Sequence, residues 1–119
     1  MKTYYRCTMP NHTERISTNH PIWDNNLFCS KNLELAKAYG SQVEIIKSKD
    51  DAKIITEQSN GKGFKELKIK PKQYTMLLDY CIAVITKAKE YGYDIVEFEK
   101  QGDIGTVILN TESVIRNAD

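Results

Sequence analysis

The stretch from Pro71 to Tyr91, PKQYTMLLDYCIAVITKAKEY, constrains the fold most. Pro71 suits a first helical position, because the N–H it lacks would be unpaired there anyway. Tyr74, Leu77, Leu78, Cys81, Ile82, Ile85 and Ala88 recur at helical spacing as a broad apolar stripe, with Val84 at its edge. Lys72, Gln73, Asp79, Lys87 and Lys89 occupy much of the remaining surface, and Gly92 supplies the stop. The pattern predicts one long helix over about 71–91. A stripe that wide must be buried against something, and the rest of the chain offers mainly strands. The expected arrangement is a core helix packed on a sheet.

The strands follow from alternation. KTYYRCT at 2–8 reads as extended, with Thr3, Tyr5 and Cys7 on one face and Tyr4, Arg6 and Thr8 on the other. Residues 9–26 form a long polar connection holding Pro10, Pro21, His12, His20 and the single tryptophan, Trp23. LFCSKNLELAKAYG at 27–40 reads as a strand, a turn and a short helix. Ser30 is expected as its N-cap, Leu33, Ala36 and Tyr39 as its inner face, and Gly40 as its end. Residues 42–47 form a strand on Val43, Ile45 and Ile46. Residues 50–55 lead into a short strand or a single helical turn. SNGKG at 59–63 is a loop, and KELKIK at 65–70 fits a short strand. DIVEFE at 94–99 and TVIL at 106–109 read as a strand pair joined through 100–105, and Val114 and Ile115 mark a last short strand. This order predicts α+β with a mostly antiparallel sheet.

The 119 residues fit one domain, 1–119. A hydrophobic fraction of 40% and a charged fraction of 28% are those of an ordinary globular chain. The net charge of +1 argues against a protein that coats nucleic acid. No run reaches the length of a membrane span, and the opening residues lack a signal-peptide core, so a cytoplasmic protein with no membrane partner is expected. Three widely spaced cysteines (Cys7, Cys29, Cys81) suggest reduced thiols. Cys7, His12, His20 and Cys29 are zinc-ligand types, but their spacing matches no compact zinc motif, and no metal site is expected. SNGKGFK lacks the Lys-Ser or Lys-Thr end of a phosphate loop.

Three places resemble the ADP-ribosyltransferase fold. YYRCT resembles the family's opening strand. LFCSKNLELAKAYG is similar to its aromatic-Ser-Thr strand followed by a helix ending in tyrosine. GYDIVEFEKQGDIGTVILNTESVI resembles its closing hairpin. The resemblance implies an α+β domain of split, mostly antiparallel sheets, with a short helix after the second strand and one long helix. It implies NAD bound between the half-sheets and ADP-ribose transferred to a macromolecule. A chain of this size resembles small bacterial and phage effectors, some of which inhibit host or immune proteins and act in the host cytoplasm.

On that resemblance Arg6 would hold the dinucleotide, Ser30 would shape the site, and Phe28, Tyr39 and Trp23 would pack the nicotinamide. The family's catalytic glutamate falls at Gly105 or Thr106, neither of which is acidic. Asp103, Glu97 and Glu99 are the nearest carboxylates that could serve instead. Glu97 and Glu99 lie on one face of their strand, where crowding in a cleft would raise one pKa and make a general base. The alternative is a module that keeps the fold, has lost catalysis, and binds and inhibits a protein partner. Each residue also has a plainer role: Ser30 as a cap, Phe28 and Tyr39 as core aromatics, Arg6 as an exposed strand residue.

Overall fold

The computed structural model describes residues 1–8, 26–58, 62–99 and 105–117. Within them run β1 (Thr3–Thr8), β2 (Leu27–Cys29), α1 (Leu33–Ala36), β3 (Gln42–Ser48), β4 (Ile54–Thr56), α2 (Leu77–Glu90), β5 (Ile95–Glu97), β6 (Thr106–Ile108) and β7 (Val114–Arg116). The strands form two sheets, one ordered β1-β3-β7 and the other β2-β6-β5-β4. Every pairing is antiparallel except β4 with β5. A parallel pair needs a long crossover, and α2 lies within the segment that provides it. The α+β class with mostly antiparallel split sheets is therefore what the chain adopts.

The second sheet is buried on both faces, which is why β5 and β6 have no exposed position. Ile95 and Ile108 meet Tyr4, Ile46 and Val114 of the first sheet. Val96 and Val107, one residue along, meet Tyr80, Cys81, Val84, Ile85 and Ala88 of α2. Strand alternation thus sorts neighbouring residues into two cores, and the molecule is a sheet–sheet–helix stack. All three cysteines are free and buried.

The long helix departs from expectation at its start. Pro71–Gln73 form a separate 3₁₀ turn, closed by Lys70 N–H donating to Gln73 Oε1 at 2.8 Å. Tyr74 and Met76 are extended, so α2 begins only at Leu77. Leu77 and Leu78 are exposed, and Tyr80 and Val84 take the inward positions. Its end is as expected. Gly92 at φ 83° lets its N–H bond Lys89 O and that of Tyr93 bond Ala88 O, the double closure of a Schellman motif.

Three smaller expectations are corrected. Asn32, not Ser30, caps α1: its Oδ1 accepts from Glu34 N–H at 2.8 Å, while Ser30 Oγ accepts from Asn32 N–H at 3.0 Å. Gly40 follows in an extended rather than left-handed helical conformation. Residues 65–70 are not a strand. They form a turn in which Phe64 and Ile69 pair across it and bury Leu67 between them, with Lys68 at φ 58°. Residues 50–55 resolve in favour of the strand β4.

Gly63 secures that turn. It sits at φ 95°, and a Cβ there would lie 2.3 Å from Ile69 O. Gly63→Ala is expected to cost about 2 kcal/mol, on the order of 10 °C in Tm, read by thermal unfolding.

Candidate functional site at the join between the sheets

A polar row crosses the second sheet near one end. Cys29 is paired with Thr106, Thr106 with Glu97, and Glu97 with Thr56. Alternation turns this row toward the first sheet, on the same face as Ile95 and Ile108. Glu97 and Thr106 are both 0% exposed.

The first sheet completes the row. Tyr4 OH donates to Glu97 Oε2 at 2.7 Å, and Lys2 Nζ lies 2.9 and 3.1 Å from the two carboxylate oxygens. Thr56 Oγ1 donates to Oε1 at 2.8 Å, and Lys31 Nζ stands 3.8 Å from the same oxygen. Burial pushes the Glu97 pKa up, but the bonds from Lys2, Tyr4 and Thr56 and the Lys31 charge outweigh it. The carboxyl is held below its usual range and stays ionised. The Tyr4 hydroxyl is shifted the other way, by burial first and then by its bond to Glu97. Burial likewise pushes the Cys29 thiol up to about 12, against the lowering effect of Arg6, so it is not a nucleophile near neutral pH.

The two sheets meet at a corner beside this row. Tyr5 and Ser30 exchange both backbone hydrogen bonds, at 2.7 and 2.9 Å. Arg6 follows at once and pairs in register with Glu44, whose carboxylate takes a two-point bond from Arg116 at 2.6 and 2.8 Å. Gly105 enters β6 at φ 62°, where a Cβ would lie 2.8 Å from Cys29 O. On the helix side of the same sheet end, buried Glu57 takes a short bond from Tyr80 OH and one from Glu99 N–H at 2.9 Å.

The sequence-derived candidates divide accordingly. Arg6 and Ser30 are neighbours at the corner. Glu99 is exposed there and pairs with Lys31 at 3.3 Å, so Glu97 and Glu99 do share a face and one cation. Glu97 is not the crowded, proton-holding base that the pair suggested, because the bonds from Lys2, Tyr4 and Thr56 and the charge of Lys31 stabilise its ionised form. Phe28 packs on the α2 side of the sheet, away from the polar row. Asp103, Trp23, His12, His20 and the side chain of Tyr39 lie outside the described residues.

Sequence reasoning passed over Lys2, Lys31, Tyr4, Thr56 and Thr106. Tyr4 had a signal, sharing a strand face with Arg6. Thr56 and Thr106 had none, because only strand register sets them beside Glu97. The hydroxyl of Thr106 is buried with no hydrogen-bond partner among the described residues. No family model, curated protein or solved structure matches the chain.

The lowered pKa of Glu97 fixes the sign of a pH effect. The unfolded carboxyl titrates near its ordinary value, about 4.3. The stability contributed by the ionised native form is complete above that value and is lost as pH falls through the lower native one. Glu97→Gln should therefore be less stable than the parent near neutral pH. The gap should narrow steadily as urea unfolding is repeated at pH values from about 5 downward.

Proposed function

We propose that this chain is an ADP-ribosyltransferase-like domain that binds NAD at the corner between its sheets and transfers ADP-ribose to a macromolecular acceptor. The observation that carries this reading is the meeting of three separated segments. Tyr5 bonds Ser30 through the backbone, and Cys29, beside Ser30, pairs with Thr106. These are the three places where the sequence resembles that family. An acquired function as a small effector, acting on a host or immune protein, accords with the same resemblance.

The residues at the corner suit an anionic dinucleotide. Arg6 offers a planar fork for a pyrophosphate or a ribose edge, and Lys31 adds positive charge beside Ser30. The bond between nicotinamide and ribose breaks with its electrons leaving on the base, and a nucleophile of the acceptor attacks the ribose carbon. Glu99, the exposed carboxylate at this rim, orients the ribose hydroxyl and offsets the positive charge that develops; Asp103 is the other candidate for that role. Glu97 acts as a fixed structural anion.

A second reading is a domain that binds a protein partner without turnover. What favours it is Gly105: its left-handed backbone and the nearby Cys29 carbonyl leave no room for an acid at that position.

Calorimetry with NAD and an assay of nicotinamide release separate the two. Binding that Arg6→Ala abolishes, with circular dichroism unchanged, is expected. Release that falls at least ~100-fold in Glu99→Gln or Asp103→Ala would identify the acid. Full binding by Arg6→Ala would sink the site assignment. No binding by the parent chain would leave the partner-binding reading.

A further inference from the structure

The lysines are unevenly distributed. Residues 62–91 hold seven lysines and three carboxylates, a net +4 in a chain whose total is +1. The near-neutral sum conceals a strongly basic segment opposed by an acidic remainder. Lys62, Lys65, Lys68, Lys70, Lys72 and Lys89 are exposed, and Lys87 is half-buried. None of the seven forms an ion pair with another described residue. Lysines kept only for solubility are commonly interspersed with acids, and here the signs are segregated.

Two of them, Lys68 and Lys87, line a groove of about 450 Å³ between the 65–69 turn and α2, within the size range of ligand sites, with Glu90 the one acid among its lining. Lys68, Tyr74, Thr86, Lys87 and Tyr91 are among its lining. Tyr91 is 54% exposed, and Lys87 Nζ stands 5.6 Å from the centre of its ring. Lys68 occupies a left-handed backbone position at φ 58°, where glycine or asparagine would be less strained. The turn therefore keeps a cation at the groove against a local conformational cost.

We propose that this groove binds single-stranded nucleic acid, with Lys68 and Lys87 on phosphates and Tyr74 and Tyr91 stacking on bases. Unpaired lysines would suit any polyanion. The tyrosines decide, because a base offers a flat π face to an aromatic wall and an acidic peptide does not. The proposal is independent of NAD binding at the sheet corner.

The test is fluorescence anisotropy with labelled oligouridine and oligoadenosine of about 12 nucleotides, a length within the usual single-strand site sizes. Binding should weaken with salt, with a log–log slope of about −1.4 if Lys68 and Lys87 each engage one phosphate. Lys68→Glu with Lys87→Glu should weaken binding at least tenfold and flatten that slope. Tyr91→Ala should weaken it severalfold and leave the slope unchanged. Lys49→Glu, a charge reversal on an exposed lysine outside the groove, should have little effect, and Lys68→Ala with Lys87→Ala provides a milder loss of charge should the first pair fail to fold. No oligonucleotide binding overturns the proposal. So does binding that responds equally to Lys49→Glu and to the groove variants, or capture only by anionic vesicles or polyglutamate.

Discussion

A carboxylate that is never exposed joins the two sheets. Glu97 belongs to the second sheet, while Tyr4 belongs to the first and Lys2 immediately precedes its strand β1. Removing an ion from water costs several kcal/mol, and that cost is offset only where the geometry supplies charge and hydrogen bonds together. Here both oxygens are satisfied from three directions, and the lysine that supplies the charge remains half in solvent. A buried pair of this kind need not exceed a hydrophobic replacement in stability. It does fix which residues may face one another, since any shift of β1 along the second sheet would leave an ion unpaired. The corner formed by Tyr5 and Ser30 depends on that alignment.

The same strand end carries a second arrangement of this type. Glu57 follows Thr56 and faces the helix, where Tyr80 and the Glu99 backbone satisfy it. Glu57 N–H also donates to the Glu97 carbonyl at 2.8 Å. Two buried carboxyl groups therefore stand on opposite faces of one sheet, each answered by a tyrosine hydroxyl from the neighbouring layer. The sheet–sheet and sheet–helix packings are registered at the same end of the sheet, next to the corner where Tyr5 meets Ser30 and Lys31 meets Glu99. The partly exposed Arg6 and Ser30 rest on this polar-keyed base, while the basic groove lies along the helix layer.

Much of this was readable from local pattern. Alternation in DIVEFE and TVIL gave β5 and β6, and YYRCT gave β1 with Tyr4 and Arg6 on one face. The stop at Gly92 followed from its freedom at positive φ. The helix start did not follow, because Pro71 is equally good at opening a 3₁₀ turn, and Tyr74 and Met76 are free to extend before α2 begins. The strand expected at 65–70 failed for a similar reason. Leu67 and Ile69 satisfy strand spacing, but both reach the core from a turn closed by Phe64.

By itself the sequence determined the α+β class, the core strands and the end of the long helix. Periodicity, turn chemistry and residue type are local properties that survive without coordinates. The tertiary structure decided what each polar group does. It made Glu97 an internal ion rather than a base, turned Phe28 toward the helix, and gathered Lys2 and Tyr4, Lys31, and Thr56 from three separate segments. Those outcomes depend on strand order and register between segments up to 95 residues apart, and on the electrostatic cost of burial. Neither is encoded in the spacing of neighbouring residues.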